Sequence, residues 1–389
     1  MNTIRLICRH HIHDRELLTA LQAEVSFLSG RIEYHLLANH VLENAFALLM
    51  GGAFFDHDEW IEAGCKILTE QLKEQVLNDG GHYELSPMYH QIILYRLLEL
   101  IDWYQAYDRR EEAFFDYICR KATLMLGWLR SITFSSNEIP YLNDSAPFIT
   151  YDTKSLIDYA ANLKLNTASA LALSESGYRK FERGSYECVV DVADIGPEYQ
   201  AGHGHADALS FILHYKGAPV FVEAGTSTYE ADAVRSYERS TAAHNTVVVN
   251  NTSQSEVWGS FRVGDRAQVT ILSESENELK AEHDGYSKRF GVRHSRSFSF
   301  DNTSVIIVDE IAGRAQTEAV ALFHLHPNVA CQVEGNTVYL DNVGMMNFLN
   351  GLRVETATYN FSSGFNTRIP ATVLKVIFED KLNTQIELT

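Results

Sequence analysis

Apolar residues recur at three- and four-residue spacings from about residue 14 to residue 129, the repeat of amphipathic helices. The run 33–55 carries Leu36, Leu37, His40, Val41, Asn44, Leu48 and Phe55 in that pattern, and 60–77, 88–107 and 111–129 repeat it. Gly51-Gly52 reads as a close-packing point or a helix end, and Asn78-Asp79-Gly80-Gly81 as a breaker. Helices joined by short loops bury their stripes against one another. Between 131 and 166 the character changes: 134–144 is turn-rich, 152–171 predicts one more helix, and 174–178 reads as the crossing into a second domain. Beyond it the period is two. Residues 209–215, a turn at Lys216-Gly217 and 220–222 predict a hairpin. Further strands are predicted at 246–249, 267–272, 304–309, 320–324 and 337–340. The expected fold class is α+β multidomain, with helices in 1–170 followed by an antiparallel β-sandwich in 171–389.

Length and composition agree with two globular domains: 389 residues, 46% of them hydrophobic and 21% charged. The net charge of −19 argues against nucleic acid as a partner, and it requires local positive charge wherever an anionic substrate binds. Cys8, Cys65, Cys119, Cys188 and Cys331 are far apart and form no CxxC pair, so neither a thiolate metal site nor a disulfide framework is expected. No apolar run reaches the ~18 residues of a membrane span, and the N-terminal residues show no signal-peptide pattern.

Three clusters carry candidate chemistry. Asn39-His40 sits in a strongly helical run, where buried polar groups need partners; a satisfied core-edge histidine is the bland alternative. Residues 80–90 form a glycine-rich loop with Tyr83, Glu84, Tyr89 and His90, leading into a helix that Ser86 would cap with Pro87 in its first turn. His203 and His205, two apart, would share one face of an extended strand, with Asp207 following and Glu223 and His244 available to complete a metal site. A bulge or bend would be needed to bring Glu223 to His205. His324 and His326 read as strand residues, and 56–59 as a helix-capping loop.

Taken together, His203-Gly-His-Ala-Asp-Ala-Leu-Ser-Phe, 222–229, Arg239-Ser-Thr-Ala-Ala-His-Asn-Thr-Val and 254–262 resemble the β-domain of heparinase II/III-like polysaccharide lyases. Upstream, 34–44 and 80–90 resemble the catalytic helices of the same family's α/α-toroid. The resemblance implies a toroid of helices, a β-sandwich and an active site between them. It further implies β-elimination on an acidic, uronate-containing polysaccharide of glycosaminoglycan or alginate-like type. By position, Asn39 would neutralise the uronate carboxylate. Tyr89 would be proton donor and also a base candidate if its phenol were made more acidic, with His40 and His203 as further acid/base candidates. Tyr83, Glu84, Arg235 and Arg239 would bind substrate. His205, Glu223 and His244 would hold a structural divalent metal, zinc, with Glu223 standing where relatives commonly carry Asp. Relatives carry more helices before Asn39, so the toroid reads as incomplete. The resemblance suggests a periplasmic or cell-envelope location, and the residues leave a cytoplasmic one open. Two other readings stand beside the lyase: a glycoside hydrolase, for which Glu84 and Asp207 are the available carboxylates, and a non-catalytic glycan-binding or surface-polysaccharide assembly protein.

Overall fold

The computed structural model describes residues 1–166, 170–199, 201–313 and 317–389. Helices come first: α1 (Asn2–His10), α2 (Arg15–Ser29), α3 (Ala38–Phe54), α4 (Asp58–Gln75), α5 (Pro87–Gln105), α6 (Glu112–Ile132) and α7 (Thr153–Asn162). The heptad-like spacing places most of these within a few residues, with three differences. Helix α1 was not expected from the pattern. Helix α3 starts at Ala38 rather than at 33, because Leu37 and Ala38 both take left-handed φ values of 62° and 52°. Helix α7 ends at Asn162, where Lys164 turns left-handed and the Leu165 N–H returns to the Ala160 carbonyl, a Schellman-type closure. Of the remainder of the expected helix, residues 167–169 lie outside the described residues and 170–171 are not helical.

Helices α3 and α5 are apolar almost all round and sit inside the helical layer, α3 against α4 and α5 against α6. Gly51-Gly52 is the close-packing point. A Cβ on Gly51 would meet Val25 of α2 at 2.7 Å, and one on Gly52 the Ile61 backbone nitrogen of α4 at 2.8 Å. None of the described helices is long and apolar enough to cross a membrane.

Antiparallel sheets follow. β1 (Tyr178–Arg183), β2 (Tyr186–Asp191), β3 (Phe211–Tyr215) and β4 (Ala218–Phe221) form one sheet in that order. The predicted hairpin is its β3–β4 unit, with positive φ at both Lys216 and Gly217 as a two-residue turn requires. This sheet is buried on both faces. Val189 and Ile212 join the helical core, while Cys188, Val190, Phe211 and Leu213 join the core of the sheets behind. That double burial explains the unbroken apolar run of β3, where side chains of alternating direction all leave water.

An eight-stranded sheet runs in the order Cys331–Glu334, Thr337–Leu340, Gly344–Leu349, Lys381–Leu388, Ser304–Gly313, Val292–Phe300, Glu278–His283 and Val269–Glu274. A second four-stranded sheet has Arg353–Gly364, Thr367–Phe378, Ala319–His324 and β5 (Val247–Val249). Phe211, Phe298, Phe323 and Leu374 put all three sheets around one core. The chain is therefore α+β, helices before antiparallel sheets.

Residues 134–146 wedge between the two parts. Asn143 donates to the Leu85 carbonyl and to Tyr178 Oη at 3.0 Å each, and its own Oδ1 accepts from the His205 N–H at 2.7 Å. Asp79 ties the breaker loop to the approach to β1 through the Ser174 and Ser176 N–H groups.

Candidate active site

Ser86 caps α5 by accepting from the Tyr89 N–H at 3.2 Å, and its hydroxyl donates to the Asp144 carbonyl at 2.7 Å. A cap of this kind contributes about 1 kcal/mol; here it also fixes the turn that carries Tyr89. The Tyr89 ring stacks on the His203 imidazole with centroids 3.8 Å apart and 26° between planes. Its hydroxyl lies 3.5 Å from that of Tyr229, which packs against Phe261 and Phe365.

His203 and His205 lie in a loop rather than a strand, which corrects the expectation that they share a strand face. They converge all the same, on opposite oxygens of Asp144: His203 Nδ1 is 2.9 Å from Oδ2, and His205 Nε2 is 2.9 Å from Oδ1. Arg235, on the short helix α8 (Ala233–Glu238), grips the same carboxylate with both terminal nitrogens, Nη2 at 2.7 Å from Oδ2. Burial alone would push the Asp144 pKa up. The Arg235 charge and the hydrogen bonds from His203, His205 and Arg235 outweigh it and hold the carboxyl well below the usual range. An ionised carboxylate only accepts, so neutral His203 carries its proton on Nδ1 and presents the Nε2 lone pair. That Nε2 faces Glu84, 3.5 Å from Oε2.

Asn39 reaches the cluster from the first turn of α3. Its backbone N–H donates to Glu84 Oε1 at 3.1 Å and its side-chain amide to Oε2 at 3.4 Å. Glu84 thus satisfies a free N–H at the start of α3, where a negative charge is favoured. Leu37, Ala38 and, beside Glu84, Leu85 all hold left-handed φ. For non-glycine residues each such conformation costs about 1–3 kcal/mol and persists where surrounding contacts enforce it. Burial raises the Glu84 pKa, with His203 and the Asn39 donors opposing.

Burial also pushes the Tyr89 phenol up to about 12, opposed by the Tyr229 hydrogen bond and raised further by Asp144 and Glu84. This reverses the lowered value that a base role would need: Tyr89 stays protonated at neutral pH and is suited to donate.

The fold therefore brings together Asn39, Glu84, Tyr89 and His203. Tyr83 adjoins them in sequence but turns toward Tyr199. His40 is half exposed, 3.7 Å from Glu33, and its charge acts on Glu84, but of Asn39 and His40 it is Asn39 that bonds Glu84 directly. Arg235 and Arg239 are corrected as substrate ligands. Both are 0% exposed; Arg235 is spent on Asp144 and Arg239 on the Gly204 and Arg262 carbonyls. Asp144 and Tyr229 were missed as site residues. Asp144 lies in the turn-rich 134–144 segment and Tyr229 in the 222–229 motif, and nothing local marks either for a partner 59 to 140 residues distant.

The expected metal residues are all buried. Two imidazoles and a carboxylate suit zinc chemically, and His244 Nε2 is buried without a partner. Their present partners argue otherwise. Glu223 contacts His244 Nδ1 and accepts from Ser210, and His205 holds Asp144. Among the described residues no three His, Cys, Asp or Glu side chains are placed to hold a metal ion. As arranged, Glu223 and His244 pair with each other and His205 with Asp144, the His205 and His244 rings lying 5.3 Å apart.

Known proteins share this fold. Curated relatives include a heparin-sulfate lyase of Bacteroides stercoris, 26% identical over 330 residues that make up 76% of this chain and 46% of the relative. Another, from Pedobacter heparinus, is 25% identical over 264 residues, 61% of this chain and 39% of the relative. The chain thus spans less than half the length of these proteins. The solved heparan sulfate lyase HepC of Pedobacter heparinus matches 96% of this chain and 63% of its own, with a TM-score of 0.72 at 20% identity. A chondroitin AC lyase of Streptomyces coelicolor A3 matches 98% of this chain and 65% of its own, with a TM-score of 0.56 at 10% identity. At such identities the likeness is one of fold. Residues 15–165 match the family model described as Heparinase II/III N-terminus, and residues 166–386 the one described as Heparinase II/III-like, C-terminal. The chain belongs to the heparinase II/III family.

Proposed function

We propose that this chain is a lyase that cleaves a uronate-containing polysaccharide of the glycosaminoglycan class by β-elimination. The observation that carries this reading is the stack of Tyr89 on His203, with Asp144 behind the imidazole. His203 Nε2 takes the C5 proton of the uronate. The C5–H electron pair becomes the C4–C5 double bond, the C4–O bond breaks, and its electron pair stays with the departing oxygen, which the Tyr89 phenol protonates. Asn39 donates its amide to the uronate carboxylate, where charge builds as the proton leaves. Relatives named heparin-sulfate lyases support the substrate class.

In this reading the helical part, 1–170, belongs to an α/α-toroid and 171–389 is a β-sandwich, with the reaction at their junction. The zinc implied by the resemblance stays a separate proposal on His205, Glu223 and His244. The unpartnered His244 Nε2 supports it, and a purified chain with no bound divalent metal removes it. The hydrolase reading needs two opposed carboxylates, and Asp207 is buried beside Asp191 and Glu223 rather than paired with Glu84.

The test is a panel of heparan sulfate, chondroitin and alginate oligosaccharides followed by ultraviolet absorbance. An unsaturated uronate product is expected from at least one; a cleaved product without the double bond overturns the mechanism.

A further inference from the structure

A cavity of about 650 Å³ opens between the 136–155 segment and the hairpin made by Arg353–Gly364 and Thr367–Phe378. Phe148 stands on its wall with 92% of its surface exposed and a left-handed φ of 67°. A bulky residue in that conformation is strained by about 1–3 kcal/mol, and an exposed phenyl recovers nothing from burial. Such a ring is explained by something that covers it. Tyr141 and Phe361 add aromatic surface, and Asn137 and Asn328 add amides that both donate and accept, the mixture that recognises a sugar's apolar face and hydroxyls.

The charge on the wall narrows the occupant. Glu138 and Asp152 line the cavity, and among the described residues no Lys or Arg does. The His326 imidazole on the wall is held below its ordinary pKa by burial. A sulfate or carboxylate there would meet like charge and find no cation. The elements that form its wall also touch the candidate active site. Ala146 and Pro147 on its wall follow Asp144 closely in the chain, Ser362 donates to the Thr226 carbonyl at 2.9 Å, and Phe365 at the hairpin tip packs on Tyr229.

We propose that this cavity is a subsite for an uncharged pyranose ring, stacked on Phe148, that belongs to the same glycan as the reacting uronate. Only the identity of that glycan rests on the lyase reading. The ring itself is recognised by the cavity's own chemistry.

The test uses the whole chain carrying Tyr89→Phe, titrated with N,N′-diacetylchitobiose and with its 6-O-sulfated form. The uncharged disaccharide is expected to bind at least tenfold more tightly than the sulfated one. Phe148→Gly should weaken that binding at least tenfold while leaving the melting temperature unchanged or higher, because glycine accepts the left-handed φ without strain. Phe148→Tyr should retain it. Binding that survives Phe148→Gly, or equal affinity for the sulfated form, overturns the subsite. Phe148-dependent binding in a chain whose wild type makes no unsaturated product supports the subsite and sinks only the lyase reading. Unsaturated product without Phe148-dependent binding overturns the subsite alone.

Discussion

The Tyr89 ring rests on the His203 imidazole, centroids 3.8 Å apart, and this contact joins the two parts of the chain at their chemistry. Tyr89 belongs to the first turn of α5 and His203 to the loop before β3, so each is delivered by a different layer. A phenol that keeps its proton lies beside an imidazole whose Nε2, 3.5 Å from Glu84 Oε2, takes the proton in the proposed reaction. That pairing of donor and acceptor is what an elimination needs on a single substrate.

Replacing Tyr89 by Phe should lower kcat by roughly 10²–10⁴-fold, the usual contribution of one positioned proton donor. The ring stays stacked on His203, so the melting temperature should change little. Product absorbance and a thermal melt on the same preparation check both. Near-full activity would remove Tyr89 from the mechanism.

The pH dependence of Tyr89 has a definite sign. Its active form is the protonated one, present below its folded pKa of about 12. An ordinary phenol ionises near ~10. Turnover should therefore run level through that region as far as Tyr89 is concerned. A pH–rate profile with circular dichroism as a folding control tests this; an alkaline limb near ~10 assigned to Tyr89 by spectroscopic titration contradicts it.

Asp144→Asn should destabilise the chain by about 3–5 kcal/mol at neutral pH, because it leaves the buried Arg235 charge uncompensated. Since the folded pKa of Asp144 is depressed, its contribution is present above the ordinary carboxyl value of about 3.9 and is lost as pH falls through the lower folded value. Urea unfolding at a series of pH values should show the gap between wild type and variant narrowing only in acid below about 4. A gap of constant size down to strongly acidic pH would contradict the assignment.

Asn39→Ala should reduce kcat/KM by roughly 10²–10³-fold, the effect of losing one donor to developing negative charge. Its backbone N–H still bonds Glu84, so α3 should keep its start and the melting temperature should hold. Loss of folding with loss of activity would assign Asn39 to structure instead.

Much of the local architecture could be read along the chain. The Ser86-Pro87 helix start, the Lys216-Gly217 turn and the Thr337–Leu340 strand stand where capping, turn chemistry and period-two patterning put them. These features depend on residues within a turn of one another, and near neighbours carry enough information to specify them. The family motifs likewise point to Asn39, Tyr89 and His203. The rest depended on how the helical layer packs on the sheets. Asp144 gains its histidines from 59 and 61 residues away and its arginine from 91, which turned Arg235 from a presumed substrate ligand into the buried partner of a carboxylate. The exposed side for His40, the opposite aims of His203 and His205, and the raised Tyr89 pKa arise the same way, from desolvation and contacts that exist only after long-range packing has closed.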